Sequence, residues 1–99
     1  MVVIDIVQPF LKSGVSFPIQ VMRKTLGDVT VTFKVGNQSR DFGLDGGAAQ
    51  ASITVQIPGG VLKTFTMDDW GSAPAGSIVT LTATTPEGDK DSDTATVGT

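Results

Sequence analysis

Cysteine, histidine and tyrosine are all missing from this 99-residue chain, and each absence removes chemistry. Without cysteine there is no disulfide framework, no thiolate zinc site and no thiol nucleophile. Without histidine the commonest general base and the commonest transition-metal ligand are gone. The many Ser and Thr hydroxyls have no imidazole to activate them, and no lysine is placed to do so, which predicts a protein that is not an enzyme and needs no cofactor. Charge is also scarce, at 17% of residues with a net charge of −3, and this argues against a nucleic-acid partner or an anionic membrane surface. No apolar run approaches a membrane span. The opening M-V-V-I-D-I-V has neither the basic region nor the apolar length of an export signal.

The chain is rich instead in Thr, Ser, Gln and Gly, set in alternation with Val, Ile, Leu and Ala. The clearest case is Gly76 to Val97. Val79, Leu81 and Ala83 share one face of a strand there, with Thr80, Thr82 and Thr84 on the other. After a Pro86-Glu87-Gly88-Asp89 turn, Asp93, Ala95 and Val97 alternate with Thr94 and Thr96. This reads as a closing β-hairpin.

Earlier segments repeat the pattern. Val2–Gln8 is a first strand stopped by Pro9, and residues 10–15 are a connector. Phe17–Lys24 is a second strand, and Val29–Val35 alternates without a break. Ser39–Leu44 is a weaker strand, Ala51–Ile57 a stronger one, and Val61–Met67 follows the Pro58-Gly59-Gly60 turn. Asp68–Gly76 is a loop with room for one helical turn at Asp68–Trp70. Nowhere do apolar residues recur at helical spacing. About seven to eight strands, with turn signals every 8 to 12 residues, predict one all-β domain over residues 1–99, a Greek-key β-sandwich rather than a small closed barrel. Val31, Phe33, Ile53, Val55, Phe65, Val79 and Leu81 are its expected centre.

The stretch Pro74-Ala75-Gly76-Ser77-Ile78-Val79-Thr80-Leu81-Thr82-Ala83-Thr84-Thr85-Pro86-Glu87-Gly88-Asp89 resembles the last hairpin of bacterial immunoglobulin-like domains, where a Gly-led V-T-V-T-A strand enters an acidic-Gly turn. The entry Leu26-Gly27-Asp28-Val29-Thr30-Val31 is similar to earlier strand starts in that family. The resemblance covers about a third of the chain and implies an immunoglobulin-like fold. It also implies the settings in which such domains occur, namely bacterial surface proteins and the capsids and tails of phage virions. The cysteine pair and tyrosine corner of antibody-type domains are missing.

Few residues suggest a site. Glu87, Asp89, Asp91 and Asp93 place carboxylates at alternate positions, which suits Ca²⁺. Against that, Thr94 stands where an EF-hand loop requires Gly and Lys90 lies inside the cluster, so the run reads first as a solvated hairpin tip whose charges keep a sheet edge from pairing. Asp68-Asp69-Trp70 combines two carboxylates with the sole Trp. Trp70 either packs over one end of the core or, if exposed, anchors a partner or a sugar. Val3, Val7, Phe10 and Leu11 form an apolar stripe that is either an interface or is covered by the 10–15 connector. The Asn37-Gln38-Ser39 sequon matters only in a eukaryotic secretory pathway, and the Gly-Gly pairs are turns.

These readings leave two expectations. One is a small phage virion protein, a capsid decoration or tail component that contacts a protein lattice or its own copies. A chain running from Met1 to just past its last strand, with no linker or anchor, favours it. The alternative is a domain of a bacterial surface adhesin, possibly carbohydrate-binding.

Overall fold

Alternation becomes ladder pairing most fully at β4 (Gly27–Val35), where Val29, Val31, Phe33 and Val35 are buried and Thr32 and Lys34 exposed. A computed structural model describes residues 1–98. Nine further strands surround β4: β1 (Val2–Ile6), β2 (Phe10–Leu11), β3 (Phe17–Arg23), β5 (Gln38–Ser39), β6 (Gly43–Leu44), β7 (Ser52–Ile57), β8 (Lys63–Asp68), β9 (Ile78–Thr84) and β10 (Lys90–Val97). There is no helix among the described residues, so the turn expected at Asp68–Trp70 is absent. Strand β8 runs on through Asp68 instead, and Asp69 reverses the chain at φ +53°.

The strands form two open sheets around one core. The first has the order β1-β3-β8-β6. In the second, β2-β10-β9-β4 is completed by β5 and β7, which pair with β4 at its opposite ends. All pairs are antiparallel except β2 with β10. This is an all-β, sandwich-like architecture measuring 38 × 24 × 21 Å.

Two elements differ from the sequence reading for non-local reasons. Phe10–Leu11 is not a plain connector. Pro9 ends pairing with the first sheet, and the chain then crosses to lie beside β10, with Thr96 N–H donating to Pro9 O (3.2 Å) and Gly98 N–H to Leu11 O (2.7 Å). The expected strand at 39–44 is split between sheets. Gly36, at φ +59°, turns the chain back along β4 for two residues, after which Phe42–Leu44 crosses to the edge of β8.

The core contains Val31, Phe33, Phe65, Val79 and Leu81, as expected. Ile53 and Val55 are only half-buried, because β7 is an edge strand with β4 as its sole ladder partner. The centre also holds Phe17, Phe42 and Trp70. The Phe17–Trp70 and Phe33–Trp70 ring pairs each stand edge-to-face at 5.8 Å, and the Phe33–Phe42 centroids lie 6.1 Å apart.

Candidate functional site

The acidic run is drawn apart rather than gathered. Asp93 shares its strand face with the buried Ala95 and Val97, so its carboxylate points into the seam between the sheets. There its Oδ2 accepts the Ile6 N–H at 2.7 Å, and Asp91 Oδ2 accepts the Ile4 N–H at 2.9 Å. Both donors lie on the free edge of β1. At the tip, Asp89 Oδ2 meets the ammonium of Met1 at 2.8 Å, which holds the Asp89 carboxyl below its ordinary value. Glu87 pairs with Arg23, whose side chain is only 7% exposed and also donates to Asp28 O at 2.7 Å. Four carboxylates thus have four different partners. Among the described residues no three His, Cys, Asp or Glu side chains converge as a metal cage would require. The Asp5 carboxyl, beside Asp93, is raised from its ordinary value, first by hydrogen bonding with Asp93 and then by desolvation and the neighbouring negative charge.

The apolar stripe is also divided. Leu11 is buried, so it offers no interface. Val3 is half-buried on the outer face of the first sheet, opposite Met22, while Val7 is exposed just past the end of β1. Phe10 lies on the other sheet, 70% exposed, because the chain has crossed over at Pro9. Its neighbours come from distant sequence: Thr96 pairs with both Phe10 and Ile78, which sets the two exposed apolar side chains in one cross-strand row. Ile78 was missed by sequence reasoning. The available signal was its parity, since it falls in step with Thr80 and Thr82 rather than with Val79 and Leu81. Much of the rest of this outer face carries hydroxyls, with Thr32, Thr82 and Ser92 in one row and Thr30, Thr54 and Thr84 in the next, but Lys34 stands beside Thr80 in the row next to Ile78, Lys90 beside Thr84, and Asp28 beside Gln56. Thr82–Ser92 and Thr30–Thr54 hydroxyl pairs lie at 3.1 and 3.0 Å.

Trp70, at 1% exposure, is a core residue and not a surface platform; its Nε1 donates to Val15 O at 3.0 Å. The loop around it borders a shallow groove of about 580 Å³ lined by Ser39, Arg40, Asp41, Asp69 and Gly71. Arg40 is already engaged there, donating to the carbonyls of Trp70 and Ser72. The groove can hydrogen-bond a polar segment, but it presents no activated nucleophile. A second exposed apolar group, Leu26, Val61 and Leu62, sits where the β3–β4 and β7–β8 turns meet, tied by Gly60 N–H to Arg23 O at 2.9 Å.

No protein-family model, curated protein or solved structure matches the chain.

Proposed function

We propose that the protein is a non-enzymatic binding module with an immunoglobulin-like Greek-key sandwich. Two sheet orders support the fold reading. β1-β3-β8-β6 has the order A-B-E-D of such domains, and β4-β9-β10 has the order C-F-G.

Within that class, the reading is a small phage virion protein, a capsid decoration or tail component that docks on a protein lattice. The observation that carries it is the Phe10–Ile78 row on the outer face of the second sheet. Two large apolar side chains stand there on a face otherwise lined mainly by Thr and Ser, with Lys34, Lys90 and Asp28 its charged groups. Exposed apolar groups rimmed by polar ones mark protein interfaces. The carbohydrate-binding adhesin alternative is less supported, because Trp70 is in the core and no other exposed aromatic accompanies Phe10.

The test is co-sedimentation with purified capsids and tails of the phage encoding the chain, at micromolar protein. Binding is expected for the parent chain and loss of binding for Phe10→Ser with Ile78→Ser. Failure of the parent to co-sediment with either particle overturns the virion reading.

A further inference from the structure

The edges of the two sheets are guarded in different ways, and one is left open. Edge β1 has the N–H groups of Ile4 and Ile6 capped by Asp91 and Asp93. Edge β6 is two residues long, and so is β2, which covers one end of β10. The remainder of β10 carries Lys90, Asp91 and Asp93, charges that discourage a neighbouring strand. Strand β7 has none of these devices. Its sequence, Ser-Ile-Thr-Val-Gln-Ile, contains no charge and no proline, and β4 is its sole ladder partner.

The direction of its free backbone groups follows from the ladder. Arg40 N–H donates to Phe33 O at 3.0 Å, so the Phe33 carbonyl faces the β5 and β7 side of β4. Alternation then turns Val31 and Val29 toward β7, and their partners Ile53 and Val55 toward β4. Ser52, Thr54 and Gln56 therefore direct their N–H and C=O groups outward. This edge already accepts a strand where the chain allows it. Just before β7, Gln50 exchanges two backbone hydrogen bonds with Phe42, at 2.9 and 3.0 Å.

We propose that β7 is a self-pairing edge, occupied by β7 of a second copy of this chain in an antiparallel, two-fold arrangement that joins the second sheets into one. The inference adds an own-copy contact to the structural role proposed above, and it rests on residues other than Phe10 and Ile78. Three observations favour a second copy. A two-fold axis at Thr54 sets Thr54 against Thr54 and Ser52 against Gln56, so that each outward group meets an outward group and no like charges face each other. The same register puts Ile53 opposite the partner's Val55 on the inner face, covering two apolar side chains that the single chain leaves half-buried. A two-fold contact also closes on itself, so pairing ends at the dimer rather than growing into a filament.

The test uses the intact chain in sedimentation velocity from low micromolar to near-millimolar loading, with three substitutions at one position. Thr54→Pro removes an outward N–H that β4 does not use, and Thr54→Lys places like charges on the axis. Both are expected to abolish a concentration-dependent dimer, while Thr94→Lys, on the same outer face but away from the edge, leaves it intact. The chain has no cysteine of its own, so Thr54→Cys reports proximity directly. Opposed hydrogen-bonded residues lie about 5.5 Å apart at Cα, within disulfide reach. Thr54→Cys is expected to cross-link under mild oxidation, and Thr94→Cys is not. A parent chain monomeric at every loading overturns the proposal, as does a dimer that survives Thr54→Pro and Thr54→Lys. Loss of lattice binding in the Phe10 and Ile78 variants leaves this dimer unchanged, so the two readings fail separately.

Discussion

Asp93 on β10 accepts the backbone N–H of Ile6 at 2.7 Å, across the seam between two sheets that share no ladder there. A side-chain carboxylate thus takes the place of a neighbouring strand's carbonyl. Asp93→Ala should cost about 1–3 kcal/mol, the usual penalty for leaving a partly buried donor unpaired. Asp93→Asn keeps an accepting oxygen and should lose much less. Urea denaturation measures the difference, and faster hydrogen exchange at the Ile6 amide in Asp93→Ala alone would locate it.

The same seam sets a pH response. The Asp5 carboxyl is raised, first by hydrogen bonding with Asp93, so folding favours its protonated form more than the unfolded chain does. Its stabilising contribution is present below the unfolded value and lost as pH rises through the folded one. Asp5→Asn should therefore raise Tm at neutral pH, with the gain over the parent vanishing in acid. Asp89 has the opposite sign. Its carboxyl is lowered by the Met1 ammonium, so its contribution holds at neutral pH and fades as pH falls through the folded value. Thermal melts of parent, Asp5→Asn and Asp89→Asn across the acid range separate the two.

Trp70 is the chain's single tryptophan and lies between Phe17 and Phe33. Emission should be blue-shifted in the folded state and move to the red on unfolding. Trp70→Ala should cost about 3–5 kcal/mol, from lost burial and an unfilled cavity. Trp70→Phe should cost less, losing chiefly the bond to Val15 O. Denaturation followed by far-UV circular dichroism gives both values.

Much of the architecture could be read from local alternation, as at Val29–Val35, because a strand with one wet face records its burial in its own spelling. Even the inward parity of Asp93 was visible, since it shares a face with Ala95 and Val97. Its partner was not, for Ile6 is 87 positions away and donates through its backbone. Phe10–Leu11 was opaque for a similar reason. Two residues carry no period, and their strand character comes from Thr96 and Val97. Ile53 and Val55 lie shallower than their alternation suggests, because alternation reports which face a residue takes while depth depends on how many strands flank it. The interface stripe failed at Pro9, where one continuous apolar spelling passes from one sheet to the other.

Gly59 is fixed by close approach. A Cβ there would lie 2.8 Å from Leu26 N and 3.0 Å from both Lys24 O and Thr25 C. All three are backbone atoms of the neighbouring turn, which cannot rotate aside. Gly59→Ala should destabilise by about 1–3 kcal/mol, as overpacking does. Calorimetry would show it as a lowered Tm with the circular dichroism spectrum unchanged.

The crossing at Pro9 has a mechanical consequence. It leaves β2 running parallel to β10, so the segment that follows Pro9 and the last strand lie side by side and point the same way. Tension applied between the two ends loads the bonds at Pro9 O and Leu11 O together, along the strand direction, instead of peeling them one after another. The fold should yield to such a pull abruptly rather than by gradual fraying.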